Sequence, residues 1–226
     1  MMRITYLGHS AFYLESEGEK ILIDPFLRGN EMATKTPDDF EELTKILVTH
    51  GHGDHIGDTV ELAEKTGATV FCNHEIAHYL AAKGVEAIHA MHIGGRYDNI
   101  KMTVAVHGSG IEEDGKMICG GNPGGFIVET GGYRVYHAGD TGLTMDMKLL
   151  EEEGIDVALL PIGGNFTMDL RDAARAVRFI RPRYVIPMHY DTFDLIKADP
   201  HQLDVPADVV RVVLKPGETM QLNKKG

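Results

Sequence analysis

Four potential metal ligands occur within six consecutive residues of this chain, in the segment HGHGDH at positions 50–55. In an extended segment, residues i and i+2 point to the same side, so His50 and His52 can bind one metal ion together. Asp54 and His55 are adjacent and follow a glycine, which lets the backbone turn them toward a second ion. Imidazole and carboxylate donors suit zinc, iron, nickel or manganese. The alternative is that these are ordinary polar residues of a surface loop.

The motif H-x-H-x-D-H resembles the signature of the metallo-β-lactamase fold superfamily, whose other metal ligands come from distant positions. This resemblance implies a third histidine of the first site between the motif and a later Gly-Asp. His107, at the end of a predicted strand and before a Gly-Ser-Gly loop, fits that place best, with His89 and His92 as rivals. It also implies a bridging carboxylate at Asp140, in the segment HAGDTG, and a final ligand at His189, in the segment PMHY.

Two divalent ions are therefore expected, with zinc first and nickel, manganese or iron as alternatives. Asp140 is expected to serve both ions, because a carboxylate offers two oxygens. The ligands implied for the first site are His50, His52 and His107, and those for the second site are Asp54, His55 and His189.

Four other residues are candidates for supporting roles. Asp24 ends a predicted strand and could accept a hydrogen bond from a metal-bound imidazole, although an Asp before Pro is also a common turn residue. His9 could contact a ligand or substrate, or be purely structural. Asn165 could donate a hydrogen bond to substrate or simply occupy a turn, and His137 is expected to pack under Asp140.

Short strands and three helices must position these residues. Apolar runs and alternating patterns predict strands at residues 3–7, 12–15, 20–24, 46–49, 68–72, 101–106, 126–129, 133–137, 157–160, 184–187, 211–214 and 219–222. Helices are predicted at residues 59–65, 75–83 and 169–180, with Gly67 as a C-terminal cap and Pro182 as a stop.

The two halves of the chain resemble each other. Residues 12–22 match residues 126–136, and residues 69–74 match residues 184–189, so that His74 is the counterpart of His189 and is expected to have a structural role near the site. Chance similarity between apolar strands is the alternative. Two such halves predict an α+β fold, an αββα sandwich of two packed mixed β-sheets with helices outside and loops meeting at one edge. The resembled superfamily has the same fold.

Composition narrows the class of protein. The 226 residues are expected to form a single domain, and their net charge of −12 disfavours nucleic acid as a partner because the longest basic cluster is Lys224-Lys225. Cys72 and Cys119 form no C-x-x-C pair, which predicts free, largely buried thiols in a reducing compartment. No apolar stretch has the length of a membrane span, and the N-terminal segment is too short and too polar for a signal peptide. A cytoplasmic location is therefore expected. The oligomeric state stays open.

Four longer segments narrow the resemblance. They resemble segments of the UPF0173 family of small, single-domain metal-dependent hydrolases. The four segments are LGHSAF at 7–12, IDPF at 23–26, GGNFTMD at 163–169 and VIPMHYDTF at 185–193. The resemblance runs over nearly the whole chain and implies a hydrolase, but it does not imply a particular substrate.

The residues and the resemblance together predict an enzyme that hydrolyses an ester, lactone, amide or phosphoester of a small molecule. A dinuclear, metal-bridged hydroxide would attack, and Asp54 would orient it. Three alternatives stay open: a phosphodiesterase or nuclease, a di-iron redox protein, and a non-catalytic metal-stabilised binding protein. A nuclease would be expected to carry a basic surface, the redox relatives usually carry a flavin domain, and structural zinc prefers closed, cysteine-rich sites.

Overall fold

The computed structural model describes residues 1–223, so the Lys224-Lys225 cluster lies outside the described residues. The strands are β1 Met2–Gly8, β2 Ala11–Ser16, β3 Glu19–Ile23, β4 Lys45–Leu47, β5 Thr69–Asn73, β6 Ile88–Met91, β7 Arg96–Tyr97, β8 Ile100–Val104, β9 Gly110–Glu113, β10 Lys116–Cys119, β11 Gly124–Thr130, β12 Tyr133–His137, β13 Val157–Pro161, β14 Tyr184–Met188, β15 Val210–Arg211 and β16 Thr219–Leu222. The α-helices are α1 Gly53–Ile56, α2 Thr59–Thr66, α3 His74–Ala82, α4 Leu150–Glu153 and α5 Leu170–Ile180. Short 3-10 helices occur at Pro37–Asp39, Met145–Leu149, Asp194–Ile196 and Pro200–Gln202.

Fourteen of the sixteen strands in residues 1–223 form two seven-stranded sheets that have the same topology, and β9 and β10 form a separate antiparallel pair. One sheet has the order β16-β1-β2-β3-β4-β5-β6, and the other has the order β7-β8-β11-β12-β13-β14-β15. In each sheet, read in these orders, the first three pairings are antiparallel and the last three are parallel. The segments with similar sequences in the two halves form strands at equivalent positions of the two sheets: β2 corresponds to β11, β3 to β12 and β5 to β14. The internal repeat is thus a repeat of structure.

Three apolar layers hold the sheets and helices together. The central layer lies between the two sheets and includes Phe12, Leu47, Phe126 and Leu159. A second layer packs helices α2 and α3 on one sheet, and a third packs α5 on the other. Because side chains alternate along each strand, every central strand supplies both an inner and an outer layer. The predicted αββα sandwich of two mixed sheets is therefore confirmed.

Local capping explains where the longer helices begin and end. The Asn73 side chain accepts a hydrogen bond from the Ile76 amide at the start of α3, and the Asp169 side chain accepts one from Asp172 at the start of α5. Helix α2 ends at Gly67, which has the left-handed conformation (φ 69°) expected of a C-terminal cap. Within residues 1–223, no helix combines the length and the apolar character that crossing a membrane requires.

Several elements differ from the sequence-based prediction. Strands β6, β7, β9 and β10 and helices α1 and α4 were not predicted, because each has only two to four residues and several are exposed. The prediction of two buried thiols was wrong for Cys119, which is exposed at the end of β10, while Cys72 is buried. The strand predicted to end at Val106 ends at Val104, so His107 lies in the loop that follows β8.

Candidate metal centre

All the predicted metal ligands meet at one edge of the sandwich. They lie in the segments that follow β4, β8, β12 and β14, with Asp54 and His55 in the short helix α1. Three of these four strands make parallel pairings within their sheets, so their carboxyl ends share an edge with those of their neighbours. The ligand atoms fall into three overlapping groups, each with its members within 4.8 Å of one another: His50, His52 and His107; His50, His55 and Asp140; and His9, Asp54, His55 and His189.

The three-histidine group contains the residues expected at the first site. Nε2 of His50 lies 3.0 Å from Nδ1 of His52, and the His107 ring centroid lies 5.1 Å from that of His50 and 5.0 Å from that of His52. His52 has an extended backbone (φ −63°, ψ 147°) and precedes α1, which keeps it on the same side as His50. Gly51 is required between them, since a Cβ there would lie 2.5 Å from Ile111 Cγ1.

Asp140 lies between this group and the residues expected at the second site. Its Oδ2 atom is 2.9 Å from Nε2 of His189, 3.3 Å from Nε2 of His55 and 3.5 Å from Nε2 of His107. Burial alone would raise the pKa of Asp140, but His55 and His189 hold it well below its usual value. Asp140 is therefore an ionised, buried carboxylate that lies among imidazoles of both predicted sites.

Unsatisfied polar atoms test whether these residues fit metal ions. Oδ1 of Asp140 and Nδ1 of His189 are buried and make no hydrogen bond within residues 1–223. Buried polar atoms without partners are costly, and a bound cation would satisfy Asp140 directly. The donor set of imidazoles and carboxylates also matches divalent transition metals. The residues of this centre are therefore suited to bind divalent metal ions.

Asp24 supports the centre through His55 and Thr49. Its Oδ1 accepts a hydrogen bond from the Thr49 amide at 2.8 Å, and its Oδ2 accepts one from the Thr49 hydroxyl at 2.7 Å. Oδ2 also lies 2.8 Å from Nδ1 of His55, the contact that a carboxylate supporting a metal-bound imidazole requires. With a proton held on Nδ1, His55 presents Nε2 to the centre. Asp24 itself is fully buried and has a left-handed backbone (φ 46°), so its position is tightly defined.

His9 is buried beside Asp54. Its Nε2 lies 3.1 Å from Oδ2 of Asp54, and its Nδ1 lies 2.9 Å from Oγ1 of Thr192. Burial lowers the pKa of His9 to about 4, so the ring is neutral at pH 7 and carries one proton. Burial would raise the pKa of Asp54, but His9 and His55 hold it low, so this carboxylate is ionised and can only accept. The proton of His9 therefore lies on Nε2 and is donated to Asp54, while Thr192 donates to Nδ1.

The remaining candidates have separate places. His137 is fully buried, accepts a hydrogen bond from the Gly139 amide at Nδ1 and donates from Nε2 to the Ser10 carbonyl, so it fixes the backbone just before Asp140. Asn165 is exposed with a left-handed backbone (φ 47°), which matches its turn role.

The histidines that the sequence offered as rivals or as a support, His74, His89 and His92, lie outside the groups that contain the predicted ligands. His89 stacks on Tyr97 with ring centroids 3.8 Å apart, and the nearest ring to His92 is that of His74. The structural role predicted for His74 near the site was wrong, because its side chain is exposed on α3 and bonds to His78.

Three hydroxyl residues support the centre and were missed by the sequence analysis. Thr49 lies 3.0 Å from Nδ1 of His50, and the Ser109 hydroxyl accepts from the Gly51 amide and donates to the Gly120 carbonyl. Thr192 orients His9. Only Thr49 had a signal, its place directly before the motif, whereas Ser109 and Thr192 are brought in from loops distant in sequence.

Metal binding near neutral pH is expected to release about one proton per chain from His55. Burial would lower its pKa, but Asp140 and Asp24 raise it well above its usual value, so the metal-free ring is protonated at pH 7. Nε2 must lose its proton to bind a cation, whereas burial lowers the pKa values of His50 and His52, which are already neutral. Zinc titration calorimetry in buffers of different ionisation enthalpy measures the release. Identical heats in every buffer would contradict the prediction.

Comparison with known proteins agrees with this geometry. A family model described as a beta-lactamase superfamily domain matches residues 3–189. A UPF0173 metal-dependent hydrolase of Alkaliphilus metalliredigens is 58% identical over 203 residues, which cover 88% of this chain and 90% of the relative. One from Methanopyrus kandleri is 49% identical over 230 residues, covering 97% of this chain and 100% of the relative.

A solved structure agrees over the same length. Igni18, a metallo hydrolase from the archaeon Ignicoccus hospitalis, is similar with a TM-score of 0.86 and 38% sequence identity, covering 98% of this chain and 99% of that one. Sequence, fold and the arrangement of histidines and aspartates all point the same way, and the chain belongs to the UPF0173 family of metal-dependent hydrolases, within the beta-lactamase superfamily.

Proposed function

We propose that this hydrolase uses two divalent metal ions, zinc first, to cleave an ester, lactone, amide or phosphoester bond in a small molecule. The observation that carries the proposal is the position of Asp140, whose Oδ2 lies within 3.5 Å of imidazole nitrogens of His107, His55 and His189. A structural ion would need only one closed set of ligands. A central carboxylate with imidazoles of both predicted sites around it favours a pair of ions and catalysis.

The residues divide between two sites. His50, His52 and His107 would hold the first ion, Asp54, His55 and His189 the second, and Asp140 would contact both. When bound, the ions would supply a water of lowered pKa and positive charge for the oxyanion that develops on the substrate.

Asp54 is the residue proposed to orient the attacking water. Its Oδ2 accepts the hydrogen bond from His9, which leaves Oδ1 and the remaining lone pairs for a ligand and a water proton. The Asp54 side chain is 27% exposed, whereas His9 and His55 are fully buried, so among these three only the carboxylate reaches toward solvent. A charged acceptor fixed on one side and open on the other is suited to align a nucleophile.

The rim around the centre is partly apolar. The Phe193 ring lies 5.4 Å from the His9 ring and its residue is 42% exposed. Phe166 and Leu195, in the segments after β13 and β14 that pack against each other near His189, are 51% and 67% exposed. The net charge of the chain also limits the class of substrate, because a charge of −12 opposes the binding of polyanions. Both features favour a small, partly apolar substrate over nucleic acid.

The alternatives have less support. A phosphodiesterase acting on small molecules stays within the proposed chemistry, whereas a nuclease would have to overcome the acidic charge. A non-catalytic metal-stabilised module would not need an exposed carboxylate fixed beside the ligands. We also propose a single domain over residues 1–226 and a cytoplasmic location, supported by the free thiols Cys72 and Cys119.

A substrate panel tests the function. The zinc-loaded protein is assayed with chromogenic esters, lactones, phosphodiesters and a β-lactam, before and after removal of the metal by a chelator. We expect turnover of at least one class that is lost with the chelator and restored by zinc. Turnover that survives complete metal removal would overturn the proposal.

Metal content is expected to reach two divalent ions per chain at saturation of the centre. Elemental analysis of the purified protein, before and after adding zinc, nickel or manganese, measures it. The element found after purification will partly reflect supply, because affinities follow the Irving–Williams order. Fewer than one ion per chain after saturation would contradict the site itself, and a single ion would contradict the dinuclear mechanism.

A further inference from the structure

Helix α3 begins with the sequence His74-Glu75-Ile76-Ala77-His78, which has the pattern H-E-x-x-H. On a helix, residues i and i+4 lie on one face, so two histidines with this spacing can bind one metal ion together. Neither histidine belongs to the groups of ligands at the metal centre. The pattern therefore needs an explanation of its own.

The two rings converge as the histidines of the centre do. Nε2 of His74 lies 3.1 Å from Nε2 of His78, and the ring centroids are 4.6 Å apart. His50 and His52 show 3.0 Å between ring nitrogens and the same 4.6 Å between centroids. Within residues 1–223, the hydrogen bond between them is the only side-chain hydrogen bond that either histidine makes.

His92, in the loop after β6, offers a third imidazole. Its ring centroid lies 6.0 Å from that of His74, compared with 5.1 Å between His50 and His107 at the centre. His92 is exposed, so its side chain can rotate to close the difference at little cost. Three imidazoles with open positions are a donor set that suits zinc, nickel or copper.

We propose that His74, His78 and His92 bind one divalent transition metal ion at a surface site separate from the metal centre. The start of the helix is held firmly, because the Asn73 side chain caps α3 and donates to the carbonyls of Gly120 and Asn122. A fixed helix start keeps both α3 histidines ready to bind. Binding then costs little rearrangement beyond the rotation of His92.

Glu75 limits what this site can do. In metalloproteases with the H-E-x-x-H pattern, the glutamate acts as the general base. Here its carboxylate lies against the backbone of Gly121, where a Cβ would collide with it. Such a contact turns the carboxylate toward the neighbouring loop. The site therefore binds a metal ion without acting as a protease.

Zinc stoichiometry tests the proposal. Equilibrium dialysis at rising zinc concentration is run on the intact wild-type protein and on His78→Ala, which keeps every residue of the centre. His78 is exposed on a helix and alanine is the best helix former, so the variant is expected to fold as the wild type does. We expect the wild type to bind one more zinc ion per chain than His78→Ala, or to bind the last ion at least tenfold more tightly. Loss of an indirect support already costs ~10–100-fold in affinity, so loss of a ligand should cost no less.

Two further variants complete the test. His201→Ala removes another exposed histidine, in the 3-10 helix Pro200–Gln202, and should bind as much zinc as the wild type. His92→Ala should weaken the same last ion as His78→Ala does. Equal zinc binding by the wild type and His78→Ala would overturn the site, and unchanged affinity in His92→Ala would overturn the assignment of His92 as its third ligand.

Discussion

Asp54→Asn is expected to abolish measurable hydrolysis, a loss of roughly 10²–10⁴-fold for a group that positions or accepts a proton in the transition state. The amide keeps the size of the side chain but loses the charge that holds the pair with His9. Its amide oxygen can still accept from Nε2–H of His9, but the NH₂ donor then replaces the carboxylate oxygen that faces the ligand and the water. The measurement is kcat/KM on the most active substrate of the panel, together with the metal content of the variant.

Asp140→Asn is expected to lose both activity and metal. Asp140 is buried, and one of its carboxylate oxygens faces three imidazoles, so the neutral amide removes the charge that balances two cations. Asp38→Asn is the matched control, because it makes the same change on a side chain that is 80% exposed in the 3-10 helix Pro37–Asp39. Full activity of Asp54→Asn with two ions bound would show that the assigned mechanism is wrong, and full metal content of Asp140→Asn would show that it does not bridge.

The sequence predicts the fold because its signals are local and repeated. The strands of residues 12–22 and 126–136 carry similar apolar patterns, and both end up in antiparallel hairpins at equivalent places of the two sheets. Likewise, the motif at 50–55 has its chemistry within six residues. The distant candidate ligands at 107, 140 and 189 could be predicted only with the family resemblance, since a lone His or Asp after a strand has many ordinary uses.

Contacts between loops could not be predicted from the sequence. His9 and Asp54 are separated by 45 positions, and His9 and Thr192 by 183, so no spacing rule relates them. The pair of α3 histidines was missed for a different reason. Their pattern is local, but the internal repeat pairs His74 with His189 and so predicts a place near the site. Helix geometry turns His74 to the surface instead.

Asp24 and His9 both lie beside the candidate ligands, but we expect Asp24 to affect metal affinity and His9 to affect turnover. Asp24→Ala is expected to weaken metal binding by ~10–100-fold, the usual cost of losing a carboxylate that orients a metal-bound histidine. Without Asp24, Nδ1 of His55 loses its acceptor at 2.8 Å, and the ring is free to change tautomer and orientation. Competition with a chromogenic zinc chelator measures the change in affinity.

Stability must be measured beside affinity for this variant. Asp24 also accepts hydrogen bonds from the Thr49 amide and hydroxyl, and leaving buried donors unpaired destabilises the fold by about 1–3 kcal/mol. Thermal unfolding of the metal-free variant shows whether it is folded at the titration temperature. Unchanged metal affinity in a folded Asp24→Ala protein would return Asp24 to the role of a turn residue.

His9→Ala is expected to keep its metal and lose turnover. His9 is close enough to Asp54, His55 and His189 to be a ligand, but its Nε2 proton is committed to Asp54 and its Nδ1 accepts from Thr192. Removing the ring therefore leaves Asp54 in place as a ligand but free to rotate, which lowers kcat more than it lowers metal affinity. Thr192→Val, which removes the hydroxyl at constant size, should lower kcat in the same direction by a smaller factor. Loss of one ion per chain from His9→Ala would instead make His9 a ligand of the second site.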